Sequence, residues 1–176
     1  RLLYQTLIGL ATPCQANTSL TLSLVSQQDR PYFEAAFPEL ELTQQASGDL
    51  GERMHHALES AFLQGAQKAI VIGSDLPAMG WDLLNQAFKR IHENMVVIGP
   101  SRDGGYYVIG MRYPGVNVFQ DIPWSSEWVL DRTLERIQET GCEFSLLPEL
   151  ADIDFKSDLE GWQAGVKKLK NQRNRE

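Results

Sequence analysis

Two short, unbroken apolar runs, residues 69–73 (AIVIG) and 95–99 (MVVIG), limit most sharply what this chain can become. Each is too short for a helix and neither alternates with polar residues. Such runs read as strands covered on both faces, as at the centre of a parallel sheet. Around them the apolar spacing changes to that of helices. Met54, Ala57, Leu58, Ala61 and Phe62 form one stripe, which Gly65 can close, and Trp81, Leu84, Ala87, Phe88 and Ile91 form another. Val129, Leu130, Thr133, Leu134 and Ile137 make a third, and Leu159, Trp162, Val166 and Leu169 a fourth. Residues 1–12 carry Leu3, Leu7 and Leu10 at helical spacing, and Asp29 with Pro31 can open a short helix through Phe37. Residues 20–25, 40–43 and 144–147 read as further strands, and residues 105–111 as a strand running antiparallel to a neighbour. Alternation of this kind predicts an α/β fold: a mostly parallel central sheet with helices on both faces.

A length of 176 residues suits one domain, spanning residues 1–176, and is enough to bury a core. The chain carries 23 acidic and 16 basic side chains, for a formal charge of -7. That balance argues against a nucleic-acid partner, whose phosphates need a basic face. The basic run over residues 167–175 reads as a solvated tail. Cys14 and Cys142 stand in no CxxC pattern and near no histidine cluster, so a zinc site is not expected. They read as reduced structural thiols, in keeping with a cytoplasmic protein. No apolar run approaches the ~20 residues of a membrane span, and no signal segment opens the sequence.

Open α/β sheets bind ligands beyond the carboxyl ends of their strands. Directly after residues 69–73 comes Ser74-Asp75-Leu76-Pro77. The ionised oxygens of Asp75 are hard ligands suited to Mg²⁺ or Mn²⁺ shared with substrate phosphates. The alternative for Asp75 is a turn cap. After residues 95–99 comes Ser101-Arg102-Asp103-Gly104-Gly105-Tyr106-Tyr107. Asp103-Gly104 is a hairpin-turn signal, and glycines beside tyrosines also suit a sugar pocket, with close backbone approach and an aromatic face. Asp152-Ile153-Asp154 follows the late strand. In an extended stretch both carboxylates point the same way and one can join Asp75 on a cation, although Asp154 or Ser157 can instead cap the last helix. Asp49 with Glu52 resembles a capping box, and Arg53 behind it can reach a phosphate. His55 and His56 are adjacent on a helix and cannot share one metal. No Gly-x-Ser-x-Gly, HExxH or Walker pattern is present.

The ordered set GDLGERM, VIGSDLPAM, IGPSRDGGYYVIGMR, FQDIPWSSEWVLDRTL and LADIDFKSDL resembles a bacterial glycosyltransferase family, and the resemblance covers roughly residues 2–162. Members stand beside radical-SAM and selenium-domain proteins, and some are arsenosugar-biosynthesis transferases. The family is similar in turn to the 2-phospholactate and molybdenum-cofactor nucleotidyltransferases. The resemblance implies a three-layer nucleotide-diphospho-sugar transferase fold of GT-A type. It implies that Asp75, with Ser74 beside it, holds the divalent ion on the diphosphate, and that Asp152 or Asp154 supplies the second acidic ligand. It further implies that Asp103, Gly104, Gly105 and Tyr106 line the sugar or acceptor pocket, and that Trp124, Ser125 and Ser126 form another wall. Phe155-Lys156-Ser157 departs from the family's Thr-Pro-Glu. Relatives begin with an apolar strand and a basic, glycine-containing nucleotide loop ending Lys-Thr-Arg-Leu. This sequence opens at Arg1-Leu2, so that strand and loop are not represented in it.

These features lead to the expectation of a metal-dependent transferase with a nucleotide-sugar donor and a small-molecule acceptor. Asp75 and Asp103 are its catalytic carboxylates, the latter orienting or deprotonating the acceptor hydroxyl. The alternatives are a nucleotidyltransferase acting on an NTP and a phosphorylated small molecule, or a non-catalytic nucleotide-binding relative.

Overall fold

The computed structural model describes residues 18–73, 80–93, 95–112 and 117–150. Their first part is a βαβ unit: β1 (Thr21–Leu24), α1 (Arg30–Ala36) and β2 (Glu41–Gln44), with β1 and β2 parallel and in register from Thr21 opposite Glu41 to Leu24 opposite Gln44. Then follow α2 (Leu50–Leu63), β3 (Ala69–Ile72), α3 (Trp81–Arg90), β4 (Met95–Pro100), β5 (Tyr106–Met111), α4 (Val129–Glu139) and β6 (Glu143–Leu146). The last four strands form a second sheet in the order β3-β5-β4-β6. The expected helical stripes over residues 1–12 and 159–169 lie outside the described residues.

The helix ends follow local chemistry. The Asp49 carboxylate accepts from the Glu52 amide at 2.8 Å, and the Glu52 carboxylate accepts from the Asp49 amide at 2.8 Å. This reciprocal capping box satisfies two of the amides that a helix start leaves free. At the other end of α2, Gly65 has φ +95°, the left-handed geometry that glycine adopts without steric cost. The start of α1 differs from expectation. Pro31 stands in its first turn, but Asp29 has helical dihedrals and makes no side-chain cap bond. The capping side chain is Ser26, which accepts from the Gln28 amide at 3.2 Å and opens a 3-10 turn over Gln27–Asp29 that feeds directly into α1.

The sheet is mixed rather than mostly parallel. β5 runs antiparallel to both β3 and β4, and the β4–β6 pair is parallel. The reason is the short Ser101–Gly105 connection, which can only reverse the chain, because a parallel return needs a crossover of a dozen residues or more. The reading of residues 105–111 as antiparallel therefore holds. Residues 95–99 hold as a central strand, with Val97 and Ile98 fully buried. Residues 69–73 do not: among the described residues β3 pairs only with β5, and Ile70, Val71 and Ile72 are only partly buried.

Helices cover both faces, as expected. On one, Leu84, Ala87 and Ile91 of α3 and its cap pack on Val97, Val108 and Leu147. On the other, Met54 and Leu58 of α2 and Ile137 of α4 pack on Val96, Ile98, Ile109 and Met111. Strict alternation along β4 and β5 produces this division. It is broken once, at a register shift between Gly99 and Pro100, where Gly99 pairs with Val108 and Pro100 with Tyr106. Tyr107 is the extra residue. Tyr107 and Val108 join the α3 layer together, and Tyr106 joins the α2/α4 layer. Gly99 makes room for the pair, since a Cβ there would stand 2.6 Å from Val108 Cγ1 and against the Tyr107 ring.

Replacing Asp49 by alanine removes one half of the capping box. We expect a loss of about 0.5–2 kcal/mol, read as a lower urea midpoint with an unchanged slope.

Candidate functional site

The carboxyl ends of β4 and β6 and the amino end of β5 meet at one edge of the second sheet. The reversal from β4 into β5 is closed by backbone bonds, the Ser101 amide to the Gly105 carbonyl at 3.1 Å and the Gly104 amide to the Ser101 carbonyl at 3.2 Å. Gly104 has φ +88°, and a Cβ there would collide with the Glu127 backbone. Its carbonyl accepts from the Leu130 amide at 2.8 Å, which fastens the turn to the first turn of α4. The same residues thus serve as a turn, as the Asp-Gly pair predicts, and seat the turn on a helix.

Asp103 sits at the tip. Its Oδ1 accepts from the Ser101 hydroxyl at 2.6 Å and from the Gly105 amide at 2.9 Å. The Ser101 bond is the main cause that holds the Asp103 carboxyl below its ordinary range. Partial burial opposes that shift, and the Gly105 amide adds to it. Asp103 is therefore a fixed anion at neutral pH. Ser101, itself buried, is a residue that sequence reading passed over. The available signal was a hydroxyl two residues before an Asp-Gly turn, where side chains commonly bond locally.

Tyr107 ties three segments together. Its carbonyl accepts from the Gly73 amide at 2.9 Å, and its hydroxyl donates to the Pro148 carbonyl at 2.9 Å. Burial pushes its pKa up to about 12, against a smaller downward pull from the Arg90 charge, so it stays a donor. Beyond β6 the chain continues alongside β4: the Leu147 amide bonds the Ile98 carbonyl, Leu150 pairs with Ser101, and the Arg102 amide bonds the Leu150 carbonyl.

Tyr106 lies on the other face, where its ring meets Trp124 edge-on at 6.5 Å. Trp124 in turn covers the first turn of α2. A Cβ on Gly51 would stand 2.6 Å from its Cζ2 and 2.9 Å from the Phe119 carbonyl oxygen. Burial raises the Tyr106 pKa well above the ordinary value, with the neighbouring Thr133 hydroxyl pulling the other way. Thr133 donates its own proton to the Val129 carbonyl at 2.8 Å, and neither the Tyr106 hydroxyl nor the Trp124 indole N–H makes a hydrogen bond of good geometry.

The structure therefore brings together Asp103, Gly104, Gly105, Tyr106 and Trp124. Ser125 is exposed beside them and holds φ +63°. Arg53 is engaged locally, its Nε on the Asp49 carbonyl at 3.1 Å and its Nη1 on Gln45 Oε1 at 3.2 Å. His55 packs its ring against Phe119 at 6.2 Å, and His56 is exposed. Ser74, Asp75, Asp152 and Asp154 lie outside the described residues. Among the described residues no group of three or more His, Cys, Asp or Glu could hold a metal ion. None of their helices is long and apolar enough to cross a membrane.

The chain, with its helices on both faces of the sheet, is similar to a solved structure from Desulfovibrio desulfuricans G20, that of a "putative nucleotide-diphospho-sugar transferase". The two share 32% sequence identity and a TM-score of 0.76, over 86% of this chain and 69% of the other. Residues 10–126 match a family described as uncharacterized protein conserved in bacteria, DUF2064, and the chain belongs to that family. No curated protein matches it.

Two expectations follow. Ser101→Ala raises the Asp103 pKa toward its ordinary value, near 3.8, in a carboxyl-detected NMR titration. The depressed pKa in the wild type contributes stability that is complete above the unfolded value and lost as pH falls through the folded one, so the variant loses less on acidification. Gly51→Ala forces Trp124 off the α2 terminus and lowers stability by about 1–3 kcal/mol in denaturant titration.

Proposed function

We propose that the chain transfers a sugar from a nucleotide-sugar to a small-molecule acceptor with the help of Mg²⁺ or Mn²⁺. The observation that carries this reading is the double tie at Tyr107. Gly73 and Pro148, which precede Asp75 and the pair Asp152/Asp154 in the chain, are both bonded to that one residue. Asp75 follows Gly73 by two residues, and Asp152 follows Leu150 by two, a span of about 7 Å at most. Leu150 is itself paired with Ser101, two residues from Asp103. That short tether of Asp75 and Asp152 to one sheet edge supports the reading. The likeness to the solved transferase supports the same reading.

The donor set assigned to the cation is Asp75 with Asp152 or Asp154, and carboxylate oxygen suits a hard divalent ion. When bound, such an ion supplies neutralisation of the charge that develops on the departing diphosphate. The remaining roles fall to the chain itself. Asp103, held ionised by Ser101 and Gly105, is a weak base but a well-placed acceptor, so its task is to orient the acceptor hydroxyl. Gly104 and Gly105 let a sugar approach the backbone, and Tyr106 with Trp124 forms the aromatic wall.

The test is thermal unfolding with Mg²⁺ or Mn²⁺ and a panel of UDP-, GDP- and ADP-sugars. A ligand held at about 100 times its Kd adds about 2.7 kcal/mol to stability, so one donor is expected to raise Tm by several degrees. Asp75→Ala is expected to abolish that rise and leave the ligand-free Tm unchanged. A full response in the variant would remove Asp75 from the site. Pyrophosphate release from an NTP and a phosphorylated acceptor would reassign the reaction to nucleotidyl transfer, and no response to any donor would leave a non-catalytic relative.

A further inference from the structure

A groove of about 870 Å³ runs between residues 120–123 and the outer face of α4. That volume falls within the range of small-ligand sites. The two walls are fastened together, because Arg136 Nη2 donates to Gln120 Oε1 at 2.9 Å. The groove therefore exists without a ligand.

Its charges do not balance. Arg136 is matched by Glu139 at 3.0 Å, and Arg132 by Glu135 at 2.7 Å. Asp121 and Asp131, which also line the groove, have no ion-pair partner among the described residues. Trp128 lines it too and is 57% exposed, a large apolar ring left in water. An aromatic face attracts a cation through its quadrupole, and most strongly when the ring is tryptophan. Two carboxylates without an ion-pair partner among the described residues, one of them Asp131 in the first turn of α4, supply the opposite charge. A neutral sugar would gain the ring contact but nothing from that charge. A bare metal ion would find no group of three or more His, Cys, Asp or Glu placed to hold it among the described residues.

We infer that this groove binds a small organic cation, a substituted ammonium group that rests on Trp128 with Asp121 and Asp131 as its counter-charges. The proposal does not depend on the transfer reading.

The experiment uses the full chain labelled at the indole nitrogens of its 4 tryptophans. Choline is titrated in, in parallel with 3,3-dimethylbutan-1-ol, its uncharged isostere. Choline is expected to move the indole resonance that disappears in Trp128→Leu, saturably, and to bind more weakly as salt rises. The pair Asp121→Asn and Asp131→Asn is expected to weaken binding at least tenfold. Asparagine keeps the backbone of Asp121, whose φ of +60° lies where Asn and Asp are tolerated best. Circular dichroism checks that both variants stay folded. Equal binding of the isostere, undiminished affinity in the folded double variant, or a shift with methyl glucoside but none with choline would overturn the proposal.

Discussion

The strand-end turn depends on one carboxylate folded back on its own backbone. Asp103 takes a proton donor from Ser101 before it and another from Gly105 after it. Those bonds fix the reversal between β4 and β5, and that reversal makes the sheet mixed. β5 then lies between β3 and β4 and carries Tyr106 and Tyr107 to opposite faces. A residue that looks catalytic in the sequence is thus also the fastener of the fold around it. Its low pKa is the electrostatic signature of that second task.

The contact between Tyr106 and Trp124 likewise serves the packing around it. Gly51 is buried in the first turn of a helix, a place where glycine weakens the helix itself. It is kept open by the Trp124 ring, which in turn meets Tyr106. The α2 terminus, the residue 119–128 loop and the β5 start are therefore packed as one unit. Reciprocal capping by Asp49 and Glu52 anchors that unit from below.

Much of this was legible in the sequence. Helical stripes located α2, α3 and α4, and the Asp-Gly pair located the reversal. Gly65 marked the end of α2, and Asp49 with Glu52 marked its start. What periodicity could not supply was partner and direction. The run AIVIG reads alike as a central parallel strand or as one flanked by an antiparallel neighbour, because side-chain hydrophobicity records burial and not hydrogen-bond polarity. The cap at Asp29 was misread for a related reason: Ser26, three residues earlier, offers a hydroxyl of equal capping strength, and only backbone geometry separates the two. The site residues fall into two groups. Asp103, Gly104, Gly105 and Tyr106 are consecutive and so are joined by the chain itself, whereas Trp124 meets Tyr106 through a contact between distant segments, which order along the chain alone does not state. Arg53 is drawn to Asp49 and Gln45, bonds that depend on how β2 meets α2.

The single extra residue in β5 has a consequence for how the family can vary. Each tyrosine takes its present layer only because Tyr107 has no counterpart on β4 and so shares a face with Val108, and Gly99 leaves space for its ring. Removing one residue between β4 and that point would slide the ladder by half a pleat and exchange the two rings. The phenol now bonded to Pro148 would be delivered to the tryptophan side, and its neighbour to the helix behind. Length in this hairpin is therefore coupled to side-chain identity on both surfaces of the sheet. Homologous chains that alter the loop count must also change the pair of aromatics or the glycine opposite them.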